Sequence, residues 1–347
     1  MNGLFLKFLR KLDPETAHRI SIIGLKYFSR FIETPYENDK LNSCLNDLIF
    51  KNPIGIAAGY DKNAEVINQL FKMGFGFVEC GTVTPNSQIG NPRPRIFRLR
   101  EDSAIINRLG FNNCGTNQFV TNFRKRNIYN GIAGANIGPN KTTKNYIDDY
   151  IKGFNLVYDF VDYITINVSS PNTRNLRNLQ KNESLQELTG EISSLRKSKN
   201  IRKNILLKID PDSSDLEYSN ILNIVQKNGI DGLILTNTSI SRPHHLKSFY
   251  KNEEGGLSGA PLKEISNRAL KFISKEAQGE IIVIGVGGIT GAKDVYEKIR
   301  LGASLVQLYS ALTFNNFGFI NQIKKDLVVL LENDGFVNIN EAVGIDL

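Results

Sequence analysis

Tyr163-Ile164-Thr165-Ile166-Asn167-Val168-Ser169-Ser170-Pro171-Asn172-Thr173 is the stretch on which the reading of this chain turns. A β-rich run, Tyr163 to Ile166, passes straight into amides and hydroxyls. Parallel α/β folds carry their active groups where an apolar strand gives way to a loop in this manner. A plain polar turn would look similar, because Ser, Pro and Asn also end strands for local reasons. The rest of the chain separates the two.

Seven other strand candidates share the pattern: Pro53 to Ala58, Phe75 to Cys80, Ile132 to Ile137, Asn204 to Ile209, Gly232 to Thr236, Ile281 to Val286 and Leu305 to Leu308. With Tyr163 to Val168 they make eight. Most are continuous apolar runs, as expected of parallel strands covered on both faces, and most precede a helix-like segment. Eight such units in about 300 residues favour a closed (β/α)8 TIM barrel over an open doubly wound sheet. The connection from about 85 to 131 is long, and long connections inside compact domains usually carry function.

Residues 1 to about 33 read as two short amphipathic helices, a small N-terminal helical microdomain. Leu4, Phe5, Phe8, Leu9 and Leu12 form the first apolar stripe; Ile20, Ile23, Gly24, Tyr27, Phe28 and Phe31 form the second. Asp13-Pro14 marks the join, since Asp caps a helix and Pro suits its first turn. Basic residues flank both stripes, so an interfacial membrane anchor fits, and so does packing on the main domain.

The 347 residues, 41% hydrophobic, suffice for one large domain with an appendage. Three scattered cysteines, Cys44, Cys80 and Cys114, suit neither a disulfide framework nor a metal knuckle. A net charge of +8 is compatible with nucleic acid, an anionic membrane or an acidic small molecule. No apolar run approaches the roughly 20 residues that span a bilayer. The N-terminus also lacks the apolar core and cleavage site of a signal peptide.

The ends of the strands are polar. They read Ala57-Ala58-Gly59-Tyr60-Asp61-Lys62, Gly81-Thr82, Asn136-Ile137-Gly138, Asn167 to Asn172, Lys208, Thr236-Asn237-Thr238, Gly285-Val286-Gly287-Gly288 and Tyr309-Ser310. Lysines at the ends of apolar strands are costly to bury without anions, which points to an acidic ligand. Pairing of Lys208 with Asp210 or Asp212 is the plainer alternative. The late glycines and the Tyr309-Ser310 amides resemble a barrel phosphate site. Flavin mononucleotide (FMN) fits these groups, with Asn136, Asn167, Lys208 and Thr236 toward the ring and ribityl chain. Pyridoxal phosphate also uses barrel lysines. Asn107, Asn172 and Asn237 together suit a planar amide-bearing ligand. No strand end in the central part of the barrel offers a histidine base, which leaves Ser170 and Lys62 for proton transfer.

With these residues laid out, the sequence resembles dihydroorotate dehydrogenase, and more closely its membrane-associated, quinone-dependent class. The resemblance rests on LDPETAH (12–18), NPIGIAAGYDKN (52–63), GTVTP (81–85), NPRPRIFRL (91–99), INRLGFNN (106–113), NVSSPNT (167–173), TNTS (236–239), GGLSGAPL (255–262) and IGVGGI followed by GASLVQLYS. It implies oxidation of dihydroorotate to orotate in pyrimidine biosynthesis, with FMN as cofactor and a membrane quinone as oxidant. Ser170 would be the base. Asn107, Arg108, Leu109, Gly110, Phe111, Asn167, Asn172, Asn237, Thr238 and Lys62 would meet the substrate. Ala58, Gly59, Lys62, Thr82, Asn136, Asn167, Lys208, Thr236, Gly259, Gly288, Tyr309 and Ser310 would hold the flavin. His18 and Arg98 would line the quinone entrance.

The resemblance further implies that residues 1–40 form a membrane and quinone-access segment and 41–340 the FMN-binding barrel. The expected location is the cytoplasmic side of the inner membrane, as a peripheral protein with no nucleic-acid partner. Two rivals are a tRNA dihydrouridine synthase-like flavin barrel and a non-catalytic flavin- or membrane-binding protein of the same fold. The first should use a cysteine acid and carry a separate RNA-binding domain, and neither is seen. Two departures from the family pattern stand out: Arg174-Asn175 replaces its usual Pro-Gly, and Pro139 its usual lysine.

Overall fold

The computed structural model describes residues 11–347. The first amphipathic stripe, apart from Leu12, lies outside the described residues. Eight parallel strands close into a barrel: β1 (Ile54–Ile56), β2 (Phe77–Val83), β3 (Ile132–Ile137), β4 (Tyr163–Asn167), β5 (Asn204–Ile209), β6 (Gly232–Leu235), β7 (Ile282–Val286) and β8 (Leu305–Leu308). Each pairs with its neighbours in sequence, and β8 returns to β1. The expected strands are all present. β2 runs further than its apolar stretch suggests, through Gly81-Thr82 to Val83, and so carries polar groups into the barrel mouth.

Size complementarity fills the barrel interior. A Cβ on Gly55 would lie 2.3 Å from the Phe77 ring, and one on Gly134 would lie 2.4 Å from the Tyr163 ring, so each large ring occupies the space that a glycine leaves. A hairpin of Ser43–Leu45 and Leu48–Phe50 brings Phe50 against Phe77, with ring centroids 5.6 Å apart, at the end of the barrel away from the polar loops.

The long connection after β2 is itself folded. Its strands Ile96–Leu99 and Ala104–Asn107 join Gly256–Gly259, from the β6–β7 connection, in an antiparallel sheet. Asn107 thereby sits opposite both Ile96 and Gly256.

Helix α1 (Pro14–Phe28) begins where Asp13-Pro14 suggests. The Asp13 carboxylate accepts the amides of Glu15 (3.1 Å) and Thr16 (2.9 Å). Ala17, Ile22 and Leu25 are its buried residues, while much of the expected stripe faces outward: Tyr27 is 71%, Phe28 61% and Phe31 65% exposed. Ion pairs fasten the helix to the barrel, with Arg95 to Glu15 at 2.5 Å and Arg19 and Lys26 both to Glu65.

Candidate active site

A cavity of about 270 Å³ opens at the C-terminal ends of the strands, beneath α1 and the antiparallel sheet. From the β1 end come Ala58, Gly59 and Lys62, and from the later strands Lys208, Thr236, Gly288, Tyr309 and Ser310. Asn107, Leu109, Gly110 and Phe111 reach it from the long connection, and Gly259 from the sheet. Burial pushes the Lys62 amine down to about 8, with Glu15 pulling it back up and Arg95 adding to the depression.

Ser170 lies at the cavity wall, 6% exposed, where the β4 loop turns inward. Its Oγ accepts the Asn172 amide at 3.3 Å, and the Asn172 side chain donates to Asn107 Oδ1 at 3.3 Å. Asn237 donates to Ser169 Oγ (2.9 Å) and Asn167 Oδ1 (3.2 Å), and its own Oδ1 accepts the Thr238 amide (2.8 Å). Three asparagines that are ordinary singly are thus oriented around the Ser169-Ser170 pair. Tyr150, from the helix after β3, donates to the Asn167 carbonyl at 2.6 Å and fixes the strand end from which the loop departs.

Two expected residues stand back from the cavity. Asn136 is fully buried behind Thr82, whose hydroxyl donates to its Oδ1 at 2.6 Å, so it orients the wall. The Arg108 side chain turns outward to Glu253 (2.8 Å) and stacks on Phe97, with its guanidinium 4.6 Å from the ring centroid. Antiparallel alternation explains this, because Asn107 and Arg108 must point to opposite faces.

One histidine does reach the site, delivered by a helix. The His18 ring meets Tyr60 edge-on at 5.2 Å, and Tyr60 in turn meets Tyr309 at 5.6 Å. Burial pushes the His18 imidazole down to about 3, and the charge of Lys62 acts in the same direction. It is a neutral wall residue at physiological pH. Arg98 lines the same mouth and donates to the Leu12 carbonyl at 3.0 Å.

Sequence reading missed Glu79, fully buried on β2, and Gln307 on β8. The trace it left was a carboxylate inside an otherwise apolar parallel-strand run.

A family profile for dihydroorotate dehydrogenase matches residues 40–331. The chain belongs to this family. It is 45% identical over 334 residues to a dihydroorotate dehydrogenase (quinone) of Bartonella tribocorum, covering 95% of this chain and 92% of that one. To the mitochondrial dihydroorotate dehydrogenase (quinone) of Mus musculus it is 42% identical, covering 97% and 88%. A ligand-free crystal structure from Eimeria tenella superposes with a TM-score of 0.93 at 38% identity, covering 96% of this chain and 99% of that one. A second, in complex with ferulenol, gives 0.92 at 37%, covering 96% of each.

Membership in the family implies a flavin, and the cavity suits one. Lys208 is 5% exposed, and among the described residues its amine has no hydrogen-bond or ion-pair partner. Burial holds its pKa below the ordinary range while Glu79 pulls it back. Such an amine fits an electron-rich ring edge. Gly259, Gly287 and Gly288 are all at positive φ, where a Cβ would strike Ser103, Leu262 and Lys263 respectively, so glycine lets the backbone turn tightly at the cavity corner, which suits a phosphate held by main-chain groups beside the Tyr309-Ser310 turn.

The family's Pro-Gly pair corresponds here to Arg174-Asn175, and Asn175 takes φ 58°. That left-handed conformation is one for which Gly is the default and Asn a common substitute. Tyr146 OH donates to the Arg174 carbonyl at 2.7 Å, so the loop keeps an anchor despite the exchange.

Proposed function

We propose that this protein oxidises dihydroorotate to orotate in pyrimidine biosynthesis, using FMN and passing the electrons to a membrane quinone. The reading rests on the position of Ser170, a desolvated hydroxyl in one cavity with the Asn107, Asn172 and Asn237 amides and the Lys62 amine. The amides match the donors and acceptors of a dihydropyrimidine ring, and Lys62 matches its carboxylate. FMN, when bound, supplies a two-electron acceptor beside the substrate.

The protein's own part is positioning and proton transfer. Ser170 takes the proton from the substrate ring carbon. A hydroxyl is a poor base in water, so this relies on a closed site and on a fixed geometry about the serine. Ala58, Gly59, Thr82, Thr236, Gly259, Gly288, Tyr309 and Ser310 hold the cofactor alongside Lys208, with Asn136 supporting Thr82 from behind. His18 and Arg98 form the way in for quinone between α1 and the barrel.

We further propose residues 1–40 as the membrane and quinone-access segment and 41–340 as the FMN-binding barrel, peripheral to the cytoplasmic side of the inner membrane. No helix among the described residues is long and apolar enough to cross a bilayer. The exposed aromatic face of α1 supports surface docking. Anaerobic mixing with dihydroorotate should bleach the bound flavin, and a quinone should reoxidise it faster than fumarate or NAD. Failure to bleach would refute the reaction, and preference for fumarate or NAD would refute the quinone.

A further inference from the structure

Beneath the cavity, the barrel interior holds a carboxylate met by four donors. Glu79 accepts hydrogen bonds from Asn136 Nδ2 (2.8 Å), Gln307 Nε2 (2.8 Å), Thr165 Oγ1 (3.1 Å) and Tyr163 OH (3.4 Å). The bond to Gln307 decides which way its amide faces, because turning it over would set Oε1 against the carboxylate. With Nε2 committed, Oε1 is left over.

Gln307 is 0% exposed and borders the cavity, and its Oε1 has no hydrogen-bond partner among the described residues. An unpaired carbonyl is costly at such depth, and a native structure seldom leaves one without a purpose. Lys208, whose amine likewise has no hydrogen-bond or ion-pair partner among the described residues, lines the same cavity. An unpaired acceptor and an unpaired amine on one cavity make a floor for a ring edge with an N–H beside a carbonyl.

We propose that Gln307 is a further cofactor-binding residue, presenting Oε1 as acceptor to the flavin's ring N–H, and that Glu79 is the positioning residue that sets its amide. This rests on the flavin reading above. An oxidised isoalloxazine carries a single ring N–H, the imide N3–H between its two carbonyls, so the acceptor has one possible partner. Lys208 then serves an adjoining carbonyl.

The test is to strip flavin from the full-length protein and titrate it with FMN and with N3-methyl FMN, following fluorescence quenching. The wild type should bind the methylated analogue roughly tenfold or more weakly, the effect of one lost hydrogen bond. Gln307→Met should bind FMN more weakly and lose most of that discrimination. Glu79→Gln, in which either end of the Gln307 amide is tolerated, should reduce it too. Wild-type protein that binds both flavins equally overturns the proposal without recourse to any variant, so misfolding cannot mask the result. A folded Gln307→Met with wild-type discrimination overturns the contact, and a folded Glu79→Gln with it overturns the positioning role. Wild-type protein that binds no FMN refutes the flavin reading itself, a distinguishable outcome.

Discussion

Arg177 Nη1 meets Asp212 Oδ2 at 2.8 Å, and from that anchor the same guanidinium donates to the Ser169 carbonyl (3.1 Å) and the Thr238 carbonyl (2.9 Å). One side chain thus ties the loops after β4, β5 and β6 together immediately beside Ser170. Asp212 also accepts from Ser239 Oγ and from the Ile240 amide (2.9 Å). Burial opposes its charge, yet the Ser239 hydroxyl, the Ile240 amide and Arg177 hold its carboxyl below the ordinary range.

Loosening this clamp should misplace the serine without touching the flavin. Arg177→Met is expected to keep its flavin and to slow flavin reduction by dihydroorotate about 10²-fold, the scale of a misplacement of about 1 Å. Lysine should rescue poorly, because it lacks the planar fork that serves three acceptors. Stopped-flow bleaching measures both, and wild-type rates in Arg177→Met would show that the loops hold themselves.

Ser170→Ala should retain flavin and the fold, since the hydroxyl accepts just one long backbone hydrogen bond. Loss of the base should slow flavin reduction by roughly 10²- to 10⁴-fold. A near-normal rate would remove Ser170 from the chemistry and leave His18 as no substitute, because its imidazole is pushed down to about 3.

The Lys62 amine, pushed down to about 8, makes substrate capture pH-dependent. Below that pH the amine is charged and attracts the substrate carboxylate; above it the amine is neutral and the attraction is lost. Hence kcat/KM for dihydroorotate should fall as pH rises through about 8. Lys62→Met should lower kcat/KM at neutral pH and abolish this alkaline limb. A limb that persists in the variant would belong to another group.

The barrel was legible because most strands are apolar runs with polar residues at their ends, a pattern local in sequence. The antiparallel sheet over the cavity was not, because Ala104–Asn107 pairs with Gly256–Gly259, about 150 residues distant, and no local periodicity encodes such a partnership. The site was legible as a list of strand ends but not in its depth. Asn136, expected toward the ring and ribityl chain, is buried behind Thr82, and Arg108 turns away because its neighbour Asn107 turns in. Glu79 and Gln307 sit inside strands chosen for their hydrophobicity, where a polar residue gains meaning from what the opposite strands bring to it.

The outward face of α1 carries the remaining prediction. Removing the whole N-terminal segment would also remove His18 from the cavity wall and Glu15 from Arg95, so quinone access and site integrity would fail together. Phe28 and Phe31 are exposed and leave those contacts alone. Arg30 sits over the Phe31 ring at 4.9 Å, an arrangement suited to headgroups beside an inserted ring. Full burial of one such ring contributes about 1.5–3 kcal/mol. Phe28→Ser with Phe31→Ser should therefore weaken vesicle binding by roughly tenfold or more. It should also slow turnover with a quinone embedded in those vesicles, while flavin reduction and turnover with a water-soluble quinone stay as in the wild type. Unchanged turnover with the embedded quinone would mean that the exposed rings do not meet the membrane, whereas a loss with both quinones would mean that the substitutions had disturbed the entrance itself.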